Sequence, residues 1–311
     1  MGWLGQSPNH PSYGSLLRAR GFLITLLDSH AREPQARMNE GLLDLQGMPI
    51  HYREAGRQGG AVVFIHGWAS SSRMWLGVME ALAGERRCVA LDLPGHGQSA
   101  KPAFGWYSLP NFVSVTYGLA AALQACPATL VGHSLGGTIA LEYALRYPQD
   151  VERLVLVNPV VTGRLQFNLH WLTRRMPGRA LMTLARRLWP RLATRIQQGL
   201  VQDRLRLAPE GYARRNLEDL TLASVDALLG SARAARHDLS PCLDGIRAPT
   251  LVVVGSRDLT VPPEEGRRAA RKIPGARLVE LPTDHHPGDE TPDEFVSALR
   301  GFLEEASPRG G

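Results

Sequence analysis

The stretch TLVGHSLGGTIA, residues 129–140, places a serine between two glycines directly after a run of apolar, β-prone residues. Residues 128–131 read as a strand. From Leu135 onward Ile139, Tyr143 and Leu145 recur at helical spacing, so a helix follows. Ser134 is therefore expected on the turn between them. In a sharp strand-to-helix turn the apical residue takes strained backbone angles, and side chains at the flanking positions collide with the neighbouring chain. Gly132 and Gly136 remove those collisions. A glycine-rich turn whose serine merely caps the helix would carry the same G-x-S-x-G pattern, so the rest of the chain has to decide.

On both sides of this stretch strands and helices alternate. GLLDLQGMPIHYREAG (41–56) reads as two short strands around the turn Gln46-Gly47, and AVVFIHG (61–67) as a fully buried strand. A helix follows at roughly 72–82, then the strand CVALDLPG (88–95), then a helix at roughly 111–123 leading into the serine strand. Beyond the serine helix come the strands RLVLVNP (153–159), TLVVVG (250–255) and RLVELP (277–282), the last two each followed by a helix. Several strands are continuous apolar runs without polar alternation. That pattern signals an α/β fold whose mostly parallel, eight-stranded sheet is covered by helices on both faces.

Residues 162–243 depart from the pattern. They show no convincing strand, helical patterns such as RALMTLARRLWPRLATRI (179–196) dominate, and the segment falls between two buried strands. It is expected to be an inserted helical cap over the carboxyl ends of the strands, where open α/β sheets place their ligand crevice. The core is then 39–161 and 244–306. Residues 1–38 form an N-terminal extension. Its LLRARGFLITLLDSHA (16–31) is a poor signal peptide, because the apolar run is short, Asp28 interrupts it and the arginines stand well inside the chain. An amphipathic helix or a partly ordered extension is expected, with Leu16, Leu17, Leu23, Leu26 and Leu27 able to pack on the main domain.

Composition narrows the class. At 311 residues, with 44% hydrophobic and 21% charged content, the chain can bury a large core, and no apolar run is long enough to span a bilayer. The three cysteines, Cys88, Cys126 and Cys242, are widely spaced and form no metal or redox motif, which suits a reduced, cytoplasmic protein. The net charge of +6 raises the question of nucleic acid, yet the arginines form no basic run interleaved with stacking aromatics, so no nucleic-acid partner is expected. The arginine-rich cap and the apolar N-terminal segment also raise contact with a membrane surface. Long arginine stems commonly cover helix surfaces with the charge solvated, and that is the reading preferred from sequence.

From about residue 42 to 302 these stretches resemble the α/β-hydrolase family. FIHGWASSSRMW (64–75) looks like its oxyanion loop, LDLPGHGQS (91–99) like the loop after its next core strand, and VGHSLGG (131–137) like its nucleophile elbow. VVGSRDLTVP (253–262) looks like its acid loop and LPTDHHPGDETPDEF (281–295) like its histidine loop, with Asp284 where the family usually has glycine. The chain order serine, acid, histidine is that of this fold. The resemblance implies a serine hydrolase with a Ser134, Asp258, His285 triad, and with the backbone N–H groups of Trp68 and Leu135 as oxyanion donors. No metal and no organic cofactor are implied.

The chemistry of the residues agrees. A serine alcohol needs a base to take its proton as it attacks a carbonyl, and a histidine does this near neutral pH. His285 is the candidate, with His286 beside it as the alternative. Asp258, leaving the end of a core strand, would hold the imidazole's tautomer. Asp284 reads as a surface residue, and Asn158 excludes an acid after the preceding strand. His66, His96 and His133 read as structural or pocket residues, His66 holding its loop by hydrogen bonding. Tyr107 and the cap, with Trp171 and Trp189 as pocket candidates, are expected to enclose the serine and to favour short-to-medium apolar acyl chains. Hydrolysis of a small-molecule carboxylic ester is the leading expectation. Carbon–carbon bond hydrolysis, peracid formation and thioester or lactone cleavage use the same triad, and a non-catalytic ligand-binding protein of this fold is the remaining alternative.

Overall fold

The computed structural model describes residues 38–164, 179–201 and 211–305. Its first strands, β1 (Asn39–Leu45) and β2 (Met48–Ala55), form an antiparallel hairpin with Leu45 opposite Met48. Gln46 and Gly47 both take positive φ at the turn, which matches the twist of a two-residue hairpin loop. β3 (Ala61–Ile65), β4 (Arg87–Leu91), β5 (Ala128–His133), β6 (Val151–Val157), β7 (Thr250–Gly255) and β8 (Arg277–Leu281) complete one eight-stranded sheet, ordered β1-β2-β4-β3-β5-β6-β7-β8. β2 pairs with β4 antiparallel, and every pairing from β4 to β8 is parallel.

The continuous apolar strands are explained by two cores, one on each face. Along β3, Val63 and Ile65 join a cluster with Phe112, Leu130 and Ile139, whereas Val62 and Phe64 join another with Trp75, Leu251 and Phe295. Helices α2 (Leu109–Ala122) and α3 (Leu135–Arg146) cover the first face. The preceding α1 (Leu76–Leu82), entered through a 3₁₀ turn at Ser72–Trp75, covers the second together with the C-terminal helix described below.

Between β6 and β7 the described residues hold α4 (Arg179–Val201), α5 (Tyr212–Leu222) and α6 (Val225–Ala234) and no strand. The two stems of this segment meet: the Leu239 N–H donates to the Val161 carbonyl at 2.9 Å. Glu265, on α7 (Pro263–Lys272), accepts the Val161 and Thr162 N–H groups at 2.9 and 2.6 Å, so a buried carboxylate fixes the point where the chain leaves the sheet. The short α8 (Pro287–Glu290) and α9 (Pro292–Glu304) close the chain, α9 being the C-terminal helix on the second face. The N-terminal extension expected over residues 1–38 lies, but for Met38, outside the described residues.

Candidate active site

β5 ends at His133 and α3 begins at Leu135, leaving Ser134 on the turn at φ 54° and ψ −117°. A non-glycine residue there costs about 1–3 kcal/mol and persists only where its surroundings hold it. They do: the Ser134 N–H donates to Val157 O at 2.9 Å, and its carbonyl accepts from Gly137 and Thr138 N–H at 2.9 and 3.2 Å. A Cβ on Gly132 would lie 2.3 Å from Gly136 O, and one on Gly136 2.2 Å from Ile65 O, so both glycines are required by backbone approach. Ser134 Oγ makes no capping hydrogen bond. The serine is displayed by the turn; it does not serve it.

Asp258 follows β7 and His285 follows β8, on the same carboxyl edge of the sheet. His285 Nδ1 lies 2.6 Å from Asp258 Oδ2, and the carboxylate's other oxygen accepts the N–H groups of Thr260 and Val261 at 2.7 and 2.9 Å. A carboxylate only accepts, so Nδ1 carries the proton and the Nε2 lone pair is left for chemistry. Ser134 and His285 line one cavity of about 640 Å³. Neither Ser134 Oγ nor His285 Nε2 has a hydrogen bond among the described residues.

The His285 loop is held by residues to which sequence gave another role or, for Glu290, none. Its backbone carbonyl accepts from His133 Nε2 at 2.7 Å and from Asn158 Nδ2 at 3.1 Å, while Asn158 Oδ1 accepts the Gly255 N–H at 2.7 Å. Asn158, set aside as a failed acid, is thus the brace between the acid and histidine loops. Glu290 accepts the N–H groups of Asp284 and His286 at 2.8 and 3.1 Å. Asp284, read from sequence as a surface residue, is half-buried and accepts the Leu259 N–H at 2.9 Å, tying the same two loops.

His286 is differently engaged. Arg215 can only donate, so the oxygen of Asn216 accepts from it at 3.2 Å, and the Asn216 amide nitrogen then donates to His286 Nε2 at 3.2 Å. The nitrogen a base would need is occupied. Burial holds His286 down to about 4 and His133 well below the usual imidazole range, so both rings flanking His285 stay neutral near pH 7.

Helix α5 crosses this cavity, lining it with Ala213, Asn216, Leu217 and Leu220 from one face. It is tied at both margins. Arg215 makes a two-pronged pair with Asp289 at 2.8 and 2.6 Å on the histidine side. On the other side, Asp219 accepts from Ser71 Oγ at 2.9 Å and Arg73 Nη1 at 3.2 Å. Burial pushes the Asp219 carboxyl up from 3.8 to about 6, outweighing those two contacts. Because the folded value lies above the unfolded one, protonation favours the fold, and this advantage fades as pH rises from about 4 through about 6. Relative to Asp219→Asn, the wild type should lose up to roughly 3 kcal/mol between pH ~4 and pH ~8, read from denaturant unfolding of both chains. A constant difference across that window contradicts the assignment.

The two oxyanion candidates, Trp68 and Leu135, line the same cavity as Ser134. Leu135 opens α3, and its N–H has no intrahelical acceptor. His66 Nε2 accepts the Leu93 N–H at 2.9 Å, so its Nδ1–H donates to the Gly67 carbonyl at 2.7 Å. In a planar trans peptide the N–H opposes the C=O, so this bond turns the Trp68 N–H away from His66. The loop also abuts the elbow: a Cβ on Gly67 would lie 3.2 Å from Ser134 Cβ. His66 is fully buried beneath this loop and is absent from the cavity lining, whereas His133, Trp68 and Leu135 belong to it. The Trp68 indole donates to Leu228 O on α6 at 2.7 Å.

Two enclosing residues expected from sequence act elsewhere. Trp189 is absent from the lining and donates its indole N–H to Ala223 O at 2.8 Å, joining α4 to the end of α5. Tyr107 is buried under α6, packed against Gly230, with its hydroxyl donating to Pro102 O at 2.9 Å. Trp171 lies outside the described residues.

Residues 60–292 match the alpha/beta hydrolase fold family, and the chain belongs to it. Among curated relatives it is similar to a pimeloyl-[acyl-carrier protein] methyl ester esterase of Neisseria meningitidis serogroup B, 31% identical, covering 78% of this chain and 92% of that one. It is also similar to a 2-(acetamidomethylene)succinate hydrolase of Mesorhizobium japonicum, 28% identical, covering 84% of this chain and 94% of that one. Among solved structures, the enol-lactonase of Burkholderia xenovorans LB400 superposes with a TM-score of 0.69 at 26% identity, covering 85% of this chain and all of that one. A hydrolase is the activity class these relatives share. No helix among the described residues is long and apolar enough to cross a membrane.

Proposed function

We propose that this chain is a serine hydrolase that cleaves neutral carboxylic esters of small molecules through an acyl-enzyme on Ser134. The observation that carries the reading is the 2.6 Å contact of His285 Nδ1 with Asp258, which leaves Nε2 uncommitted on the cavity that also holds the strained Ser134. His285 takes the Ser134 proton as Oγ attacks the carbonyl, and Asp258 stabilises the imidazolium that forms. The oxyanion is met by the N–H groups of Trp68 and Leu135, the latter at the positive end of α3. Collapse breaks the bond to the alcohol, which leaves with the proton from His285; water, activated by the same histidine, then releases the acid. Residues 162–243 act in this scheme as a cap, and the three unpaired cysteines suit a cytoplasmic enzyme.

Ester over other scissile bonds is supported by the esterase among the relatives, and neutral over charged substrate by the cavity, whose described lining contains no Asp, Glu, Lys or Arg. A cavity of this size takes a ligand of drug size. The test compares p-nitrophenyl butyrate and octanoate with p-nitrophenyl succinate, an enol-lactone and a vinylogous diketone. The neutral esters should exceed the succinate in kcat/KM by about a hundredfold, since a carboxylate buried without a partner is strongly penalised. Preference for the succinate, or turnover of the lactone or diketone with none of the esters, overturns the reading.

A further inference from the structure

Helix α4 packs on α5 and α6, and its opposite side bears two parallel rows. Leu184, Leu188 and Leu192, one turn apart, are 48%, 48% and 50% exposed. Three residues after each stands an arginine, giving Leu184-x-x-Arg187, Leu188-x-x-Arg191 and Leu192-x-x-Arg195, so the rows lie side by side along the helix. Arg187, Arg191 and Arg195 are exposed and have no ion pair or hydrogen bond among the described residues. Arg186 is different, being paired with Asp226 on α6 at 2.8 Å. The 23 residues of α4 include no acid. Its inward contacts are already made: Trp189 bonds to Ala223 O and Ala193 is buried.

A helix facing only water gains nothing from a continuous leucine row, and unopposed cations beside it repel one another. Both costs are relieved together at an anionic lipid surface. There the leucines enter the boundary between head groups and acyl chains while the guanidinium groups meet lipid phosphates. A nucleic acid would neutralise the arginines but leave the leucines in water, and this face offers no stacking aromatic because Trp189 is turned inward. We infer that the leucine–arginine face of α4 docks this protein peripherally on anionic lipid bilayers. α4 packs on α5 and α6, both of which line the cavity, so docking would bring that cavity's roof to the bilayer.

Co-sedimentation of the full chain with phosphatidylglycerol–phosphatidylcholine vesicles and with pure phosphatidylcholine vesicles tests this. Binding is expected to the anionic vesicles only, falling steeply with salt. The triple variant Arg187→Gln/Arg191→Gln/Arg195→Gln should bind about a hundredfold more weakly, from about fivefold per arginine. Leu184→Ser/Leu188→Ser/Leu192→Ser should weaken binding at least tenfold. A control triple on the core, Arg57→Gln/Arg271→Gln/Arg277→Gln, removes the same net charge and should change binding less than threefold. Unaltered melting temperature and hydrolysis of a monomeric ester show that each variant is folded. Absence of anionic-vesicle binding, equal loss in the control triple, or full binding by the serine triple overturns the inference; the last outcome would mean a charge-only contact, as with an acidic protein.

Discussion

Ser134→Ala is expected to reduce kcat/KM for a neutral ester by about 10⁵- to 10⁶-fold, the loss seen when the nucleophile is removed from an enzyme with a Ser-His-Asp triad. The fold should be indifferent. Ser134 Oγ makes no capping bond, the backbone bonds that hold the elbow all use the main chain, and alanine has the same Cβ as serine. Melting temperature should therefore stay within about 2 °C of wild type, no more than the shift produced by losing about one hydrogen bond in a chain of this size. A variant retaining a tenth of the activity removes Ser134 from the mechanism.

The histidine doublet gives the second large effect. His285→Ala should cost about as much as Ser134→Ala, and the double variant should be no worse than either single one, because the two residues act as a unit. His286→Ala should change rates by less than about tenfold and unevenly between esters. Its Nε2 is engaged by Asn216, so the lost ring loosens α5 over the cavity without removing the base. Steady-state kinetics over the ester series separate these patterns, and the reverse pattern would exchange the roles of the two rings.

What was legible in the sequence follows from which interactions are local. The elbow could be read because strand, serine and helix are contiguous, and because the clashes at Gly132 and Gly136 are with backbone that any such turn brings close. The central strands β3 to β7 were legible as buried apolar runs because the sheet is packed on both faces. His285 over His286 was favoured by motif position, and the reason the geometry supplies is not local: it lies in Asn216 and Arg215, some seventy residues upstream.

The helical segment between β6 and β7 was where sequence reading stopped. Trp189 looked like a pocket residue because large apolar side chains on a helix are equally suited to lining a cavity or joining two helices, and only the position of Ala223 decides. Asn158 was noticed for the charge it lacks, whereas its use is an amide's simultaneous donor and acceptor, bridging Gly255 and His285. The exposed leucine row of α4 was equally hidden, since spacing predicts that leucines share a face and does not say whether that face is covered.

Everything proposed for the site depends on Ser134 being a nucleophile activated by His285. The most direct measurement is mass-spectrometric mapping of the adduct formed with a fluorophosphonate probe on the folded wild type, with His285→Ala treated in parallel. A single phosphonyl group on the peptide containing Ser134 is expected, formed at least a thousandfold more slowly in the His285→Ala chain. A wild-type chain left unlabelled, labelled at another residue, or labelled at Ser134 equally fast without the histidine would contradict the account.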